Sequence, residues 1–273
     1  MKEIHELYNA YYFRHGCGEI PYARTEVWLQ HFQGIAEQIV KRIGPRRVLD
    51  VGCAMGFLVE ALRAHGVEAF GIDVSEYAVQ QIREDIRPYC WVGSVTDPLP
   101  GRYDLIVCIE VLEHLPPPQA QRAVHHLCQV ADDILFSSTP EDYKEWSHLN
   151  VQPPEYWAEL FALEGFVRDV DFDASFIAPW AGRFRRQRDP LHRLIAAYER
   201  KQWRLWKENL ELRQELLNIR AQHAASEARV MQLEARTAHL ERQIDEYERG
   251  KLARFMRWLR RRPMWWPKKR GQP

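Results

Sequence analysis

Nine consecutive residues, Val48-Leu49-Asp50-Val51-Gly52-Cys53-Ala54-Met55-Gly56, limit this chain to a small set of folds. An unbroken apolar run enters a glycine turn, and residues 57–65 beyond it read as a helix. A strand that is apolar throughout, rather than alternating, is buried on both faces, as in a parallel sheet covered by helices. The same grammar repeats. Further strands are expected at 69–73, 91–92, 104–109 and 134–138, with helices over 76–84, 119–130 and 154–163. Later apolar segments at 167–172 and 175–178 read as closing strands, and residues 22–43 as a helix ahead of the sheet with Val27, Ile35, Ile39 and Ile43 on one face. The fold class is therefore α/β.

The loop excludes two nucleotide chemistries. Its glycines are four apart, which does not fit the dinucleotide fingerprint G-x-G-x-x-G, and it has no phosphate-binding lysine. Two carboxylates frame it instead. Asp50 precedes the first glycine by two residues, and Asp73 ends the second strand, where a carboxylate can accept both hydroxyls of a ribose.

These residues resemble the class I S-adenosylmethionine-dependent methyltransferases. LDVGCAMG is similar to their first motif, GID at 71–73 to their ribose-binding acid, and YDLIVCIEVLEHL at 103–115 to their fourth strand and following loop. The resemblance covers roughly residues 20–180 and implies a Rossmann-like, seven-stranded sheet with helices on both faces. It implies S-adenosyl-L-methionine as cofactor. Gly52, Ala54 and Gly56 would pass beneath its methionine part, Asp50 would hold the loop and water near its amino group, and Asp73, followed by Val74, would bind the ribose. The turn Gly93-Ser94-Val95 with Asp97 would flank the adenine, and Glu110 would lie under the cofactor. One position departs from the family's G-x-G-x-G loop: Ala54 replaces the middle glycine, and its methyl is accommodated if the residue holds φ < 0. The N-terminal Tyr11-Tyr12-Phe13-Arg14 has two readings, a lid over the site with Tyr12 at the cofactor or a surface helix packing aromatics on a sheet edge.

Methyl transfer to oxygen or nitrogen is an in-line displacement, so the protein mainly aligns reactants. A hydroxyl acceptor also gains from a general base. His148, after the fifth strand, and His114, after the fourth, are the catalytic candidates, because both follow carboxyl ends of central strands. His114 also reads as a helix-start residue satisfied by the backbone. No metal is expected. An alternative is that Glu110, Glu113 and His114 form a magnesium set resembling the E-x-x-E-H of some quinone-precursor O-methyltransferases. His125-His126 read as surface residues, and Asp132-Asp133 as a loop before a strand.

Residues 191–249 contain neither Gly nor Pro. With Leu205, Leu212, Ile219, Ser226, Leu233, Leu240 and Tyr247 at d, position a falls on Asn209, Leu216, His223, Val230, Thr237 and Ile244. Nine of these thirteen are apolar, a narrow seam of the coiled-coil kind. A parallel homodimer is expected, some 45 residues and ~65–70 Å long at 1.5 Å rise. The domains expected are an N-terminal cap at 1–43, the methyltransferase domain at 44–182, the coiled coil at 191–249 and a tail at 250–273.

Charge separates the ends. Net charge is zero, yet residues 1–150 hold 13 basic and 21 acidic side chains, and residues 251–273 nine basic and none acidic. In the tail, Leu252, Phe255, Met256 and Leu259 share one face, and Trp265 and Trp266 follow, a pattern suited to an anionic membrane surface. A glycosyltransferase or other protein partner is the alternative; nucleic acid is not the expected partner. A coiled coil ending so also resembles, loosely, the tails of bacterial enzymes that assemble surface polysaccharides. The expected function is accordingly O-methylation of a sugar or glycan intermediate. The alternatives are methylation of a small metabolite or an inactive scaffold of a glycan-assembly complex. Five scattered cysteines, no apolar leader in residues 1–10 and no spanning run point to a cytoplasmic protein, peripheral on the inner membrane face through its tail.

Overall fold

The computed structural model describes residues 7–17 and 20–261 and divides at Lys201/Gln202 into two units. The first unit is built on a seven-stranded sheet: β1 (Arg47–Val51), β2 (Glu68–Asp73), β3 (Cys90–Val92), β4 (Leu105–Ile109), β5 (Asp133–Ser137), β6 (Phe166–Arg168) and β7 (Gly182–Arg186). The order is β3-β2-β1-β4-β5-β7-β6. The first five strands are mutually parallel, and β7 runs antiparallel between β5 and β6. The order reverses direction between β1 and β4, where open α/β sheets leave a crevice beyond the strands' carboxyl ends.

Helices cover both faces, as the unbroken apolar strands require. Leu49, Val51, Ile106, Ile134 and Phe136 pack toward α5 (Pro117–Val130) and α6 (Pro154–Leu163), through Val124, Leu127, Trp157 and Phe161. Val48, Leu105, Val107 and Leu135 point the other way, onto α2 (Glu26–Arg42) and α3 (Phe57–Ala64), through Ile35, Ile39, Leu58 and Leu62. Burial of each such side chain stabilises the fold by about 1.5–3 kcal/mol. α5 and α6 both start on prolines, whose missing N–H costs nothing in a first turn. A short α4 (Glu76–Gln80) is capped by Ser75 Oγ, which accepts from the Ala78 N–H at 3.0 Å. Ahead of the sheet, α1 (Ala10–His15) starts at Asn9, whose side chain accepts from the Tyr11 and Tyr12 N–H groups.

The closing strands depart from the sequence expectation. Residues 175–178 form no strand; they belong to the loop between β6 and β7. The seventh strand is instead Gly182–Arg186, reaching past residue 182, where the sequence reading closes the domain. Only Gly182 and Phe184 of this strand are strongly apolar in setting, and Phe184 stacks on Phe161 with ring centroids 4.2 Å apart. Its arginines bind carboxylates on neighbouring elements. Arg183 Nε donates to Asp133 Oδ1 at 2.9 Å and Arg186 Nε to Asp132 Oδ1 at 2.6 Å.

In α7 (Leu191–Arg249) no residue is buried. Its portion from Gln202 onward belongs to the second unit, together with α8 (Lys251–Arg260). Leu252, Phe255, Met256 and Leu259 of α8 are exposed, and Lys251, Arg254, Arg257 and Arg260 lie among them. Trp265, Trp266 and the final basic cluster lie outside the described residues. Among the described residues, no helix is long and apolar enough to cross a membrane.

Candidate active site

The glycine loop is held to β2 by its own backbone. The N–H groups of Gly52 and Cys53 donate to the Ile72 carbonyl at 2.8 and 3.1 Å, and Ala54 N–H donates to Asp73 Oδ2 at 2.7 Å. Ser75 N–H takes the other Asp73 oxygen at 2.8 Å. Gly52 sits at φ 77°, and a Cβ there would lie 2.3 Å from Val111 Cγ2, so only glycine fits. Ala54 overturns the sequence expectation. Its φ is +44°, in the left-handed region, where a Cβ costs roughly 1–2 kcal/mol. The turn geometry wins because the Asp73 bond and the two bonds to Ile72 fix it. Ala54→Gly is therefore expected to raise stability by about 1 kcal/mol, or roughly 2–4 °C in Tm for a domain of this size. Thermal melts of the two proteins check this; an unchanged or lower Tm would mean the strain is absent.

Beyond the carboxyl ends of β1, β2, β3, β4 and β5 lies a cavity of about 670 Å³. Tyr12, Asp50, Gly52, Ala54, Asp73, Val74, Ser94, Val95, Glu110, His114 and His148 all line it. Gly56 and Asp97 do not. Gly56, at φ 70°, is buried behind the loop against Ile82, and Asp97 is exposed beyond the Ser94 turn. Asp50 is 5% exposed, and burial together with the nearby Asp73 charge pushes its carboxyl up to about 8. Burial also raises Asp73, although its two backbone hydrogen bonds oppose the rise.

α1 closes over this region rather than packing on a sheet edge. Tyr12 and Phe13 are buried with Met55 and Phe57, so the N-terminal segment packs against the glycine loop itself. Ser75 Oγ donates to the Tyr8 carbonyl, which ties the segment to the end of β2.

Two loops bring the histidines together. The Glu113 carbonyl accepts from both Leu149 N–H (2.8 Å) and Asn150 N–H (2.9 Å), which docks the loop after β5 onto the loop after β4. The rings of His114 and His148 are then 4.8 Å apart. His148 Nδ1 donates to the Asp142 carbonyl at 2.8 Å, and its Nε2 faces Glu145 Oε2 at 3.3 Å. Glu145 is itself engaged, because Oε1 accepts from Tyr12 Oη at 2.9 Å and from Ser147 Oγ at 2.5 Å. His114 Nδ1 lies 3.3 Å from the Ser147 carbonyl, and among the described residues no hydrogen bond reaches its Nε2. Burial, then the neighbouring His148, holds the His114 imidazole below its ordinary value, so it is neutral near pH 7. His125 and His126 are occupied elsewhere, by Glu164 and the Val95 carbonyl.

Sequence reasoning missed Asp142, Glu145 and Trp180, all on the cavity wall. The spacing Asp142, Glu145, His148 was the available signal for the first two. Trp180 lies in the loop after β6, and its Nε1 donates to Glu110 Oε1 at 2.9 Å. Glu110 is held at φ +51°, a second left-handed residue at the cavity.

The alternative magnesium set is not drawn together as one group. Among the described residues, the side chains whose ligand atoms lie within 4.8 Å of one another are Glu113, His114 and His148, and separately Asp142, Glu145 and His148; Glu110 is in neither group. Glu113 is fully buried and neither carboxyl oxygen has a hydrogen-bond partner. Burial and the Glu110 charge push its carboxyl well above the ordinary carboxylate range. One carboxyl with two imidazoles is not the oxygen-rich set that magnesium takes.

The sheet order, with an antiparallel β7 inserted beside β5 and an acid-framed glycine loop at the reversal point, defines the class I methyltransferase architecture. A solved magnesium protoporphyrin IX methyltransferase from Synechocystis, with bound SAM, shares this fold at TM-score 0.51 and 18% identity, over 68% of this chain and 99% of that one. The model of the methyltransferase domain family matches residues 27–212, and this chain belongs to that family. Among curated proteins it is similar to the ubiquinone biosynthesis O-methyltransferase of Methylococcus capsulatus, at 32% identity over 143 residues, covering 49% of this chain and 58% of the relative. The protein of the same name from Alkalilimnicola ehrlichii is 34% identical over 129 residues, covering 44% and 47%. The chain thus spans about half the length of the curated relatives it matches.

Proposed function

We propose that this protein transfers a methyl group from S-adenosylmethionine to a hydroxyl of a small, largely apolar acceptor. The observation that carries the reading is that one cavity brings two chemistries together. Asp50, Asp73 and the glycine loop supply carboxylates for a cationic, ribose-bearing molecule. The histidine pair and the aromatic side chains of Tyr8, Tyr22, Trp28, Phe32 and Trp180 share the same lining. Those rings supply flat apolar faces on which a planar acceptor can stack. The names of the curated relatives support a small-metabolite O-methyltransferase and lend nothing to the glycan acceptor expected from the sequence.

When bound, S-adenosylmethionine supplies an electrophilic methyl on a sulfonium that is already a good leaving group. The protein's share is alignment, water exclusion and proton transfer. His114 takes the acceptor's hydroxyl proton on Nε2 as the new O–CH₃ bond forms. His148, engaged by Asp142 and Glu145, orients the loop and the neighbouring ring. Tyr12 couples α1 to that same Glu145, which adds to the packing that holds the N-terminal segment over the site.

The direct test is turnover with labelled S-adenosylmethionine against phenols and catechols on one side and free sugars and nucleotide sugars on the other. Label transfer to the aromatic hydroxyls is expected. Transfer to sugars alone would restore the glycan reading, and no transfer with intact cofactor binding would favour the scaffold.

A further inference from the structure

Among the described residues, the second unit leaves an apolar stripe exposed along its long helix. Along α7, Leu205, Leu212, Leu216, Ile219, Val230, Leu233, Leu240, Ile244 and Tyr247 are between 47% and 78% exposed. They recur at the alternating four- and three-residue steps of a heptad seam, whereas a helix that docks on a globular face shows a broader stripe. A row of large apolar residues along so many turns exceeds the scattered exposure of a soluble surface.

The flanking charges identify the occupant. In a parallel, in-register pair, each g position meets the e′ position five residues on. The pairs are Glu208–Arg213′, Glu215–Arg220′, Gln222–Glu227′, Arg229–Glu234′, Arg236–Glu241′ and Gln243–Glu248′, where the prime marks a second copy. Four are opposite in sign and none is like-signed. An antiparallel pair overlapping the same seam matches e with e′ and g with g′, and about its two-fold Glu227 and Arg229 each meet their own kind. Val230 and Ile244 at a, with leucine at four of the seven d positions, suit two strands, and Asn209 at a selects one register. We propose that residues 205–247 form a parallel, two-stranded coiled coil with a second copy of this chain. The charges set orientation and the leucines set affinity, because exposed ion pairs contribute little each.

The experiment uses the full chain. Sedimentation at micromolar concentration is expected to give a dimer. Leu216→Glu combined with Leu233→Glu should weaken association roughly a hundredfold or more, since each loses apolar burial in both strands. Both positions are exposed in the single chain, so circular dichroism and the thermal transition of the first unit should persist. Ser226→Cys, at d, should form an interchain disulfide on mild oxidation, because in a parallel register residue 226 faces its own copy. A monomeric wild type overturns the proposal. A dimer that survives the double substitution, or one in which Cys at 226 fails to cross-link, overturns the seam or its orientation.

Discussion

His114→Ala is expected to lower turnover by about 10²–10⁴-fold, the usual worth of a positioned general base, with S-adenosylmethionine affinity unchanged within roughly twofold. The expectation rests on which ring nitrogen is free. His148 spends Nδ1 on the Asp142 carbonyl and turns Nε2 to Glu145, whereas His114 spends only Nδ1, on the Ser147 carbonyl. The pH profile separates the two histidines. The His114 imidazole must be neutral to accept a proton, and burial beside His148 lowers its titration. Activity should therefore hold as pH falls through 6.5 and decline only below it, on an acid limb that His114→Ala removes. His148→Ala should cost less in turnover and should mainly loosen the loop after β5. A larger loss for His148→Ala than for His114→Ala would reverse the assignment.

Sequence periodicity carried the five parallel strands because each is apolar on both faces, and helices over Val48, Leu49, Leu105 and Ile106 leave no other solution. It failed at β7 for an electrostatic reason. Gly-Arg-Phe-Arg-Arg reads as a solvated loop until Asp132 and Asp133 of the β5 entry and Asp169 after β6 are placed beside it. The same two aspartates read as a simple loop for the converse reason. The misplaced strand at 175–178 has the right composition for the wrong place, because Ile177 and Ala178 are apolar to line a cavity, not to pair in a sheet. In the site, Asp50 and Asp73 were legible because they stand at the carboxyl ends of β1 and β2, and both histidines because they follow β4 and β5. Glu145 was not, since its role comes from Tyr12, 133 residues away in sequence. Ala54 shows the limit most sharply. Its type argued for negative φ, yet two bonds to the Ile72 carbonyl and one to the Asp73 carboxylate, all donated by the Gly52–Ala54 turn, outweigh the cost of one methyl group.

Cofactor binding should report both acids of the glycine loop, in different ways. Asp73→Ala removes the acceptor proposed for the ribose hydroxyls. Two hydrogen bonds to a charged group, at about 1.5–3 kcal/mol each, set an expected loss of roughly a hundredfold or more in affinity. Calorimetry checks this, with a melt to confirm that freeing the Ala54 and Ser75 N–H groups has not unfolded the loop; equal affinity in the two proteins would remove Asp73 from the site. Asp50 acts through protons. In the free protein burial pushes its carboxyl up to about 8, above an unfolded value of 3.8. The stability that its protonated form contributes is complete below 3.8 and is lost as pH rises through 8, so the free protein should weaken across that window. A cationic molecule placed beside Asp50 favours the ionised carboxylate and lowers its titration. Binding of S-adenosylmethionine should then release a proton, and affinity should climb by up to about tenfold per pH unit toward 8. Asp50→Asn cannot titrate, so it should flatten that climb and abolish the dependence of the binding enthalpy on buffer ionisation. A wild-type affinity that is level between pH 6 and pH 8 would show that the cationic part of the cofactor lies elsewhere in the cavity.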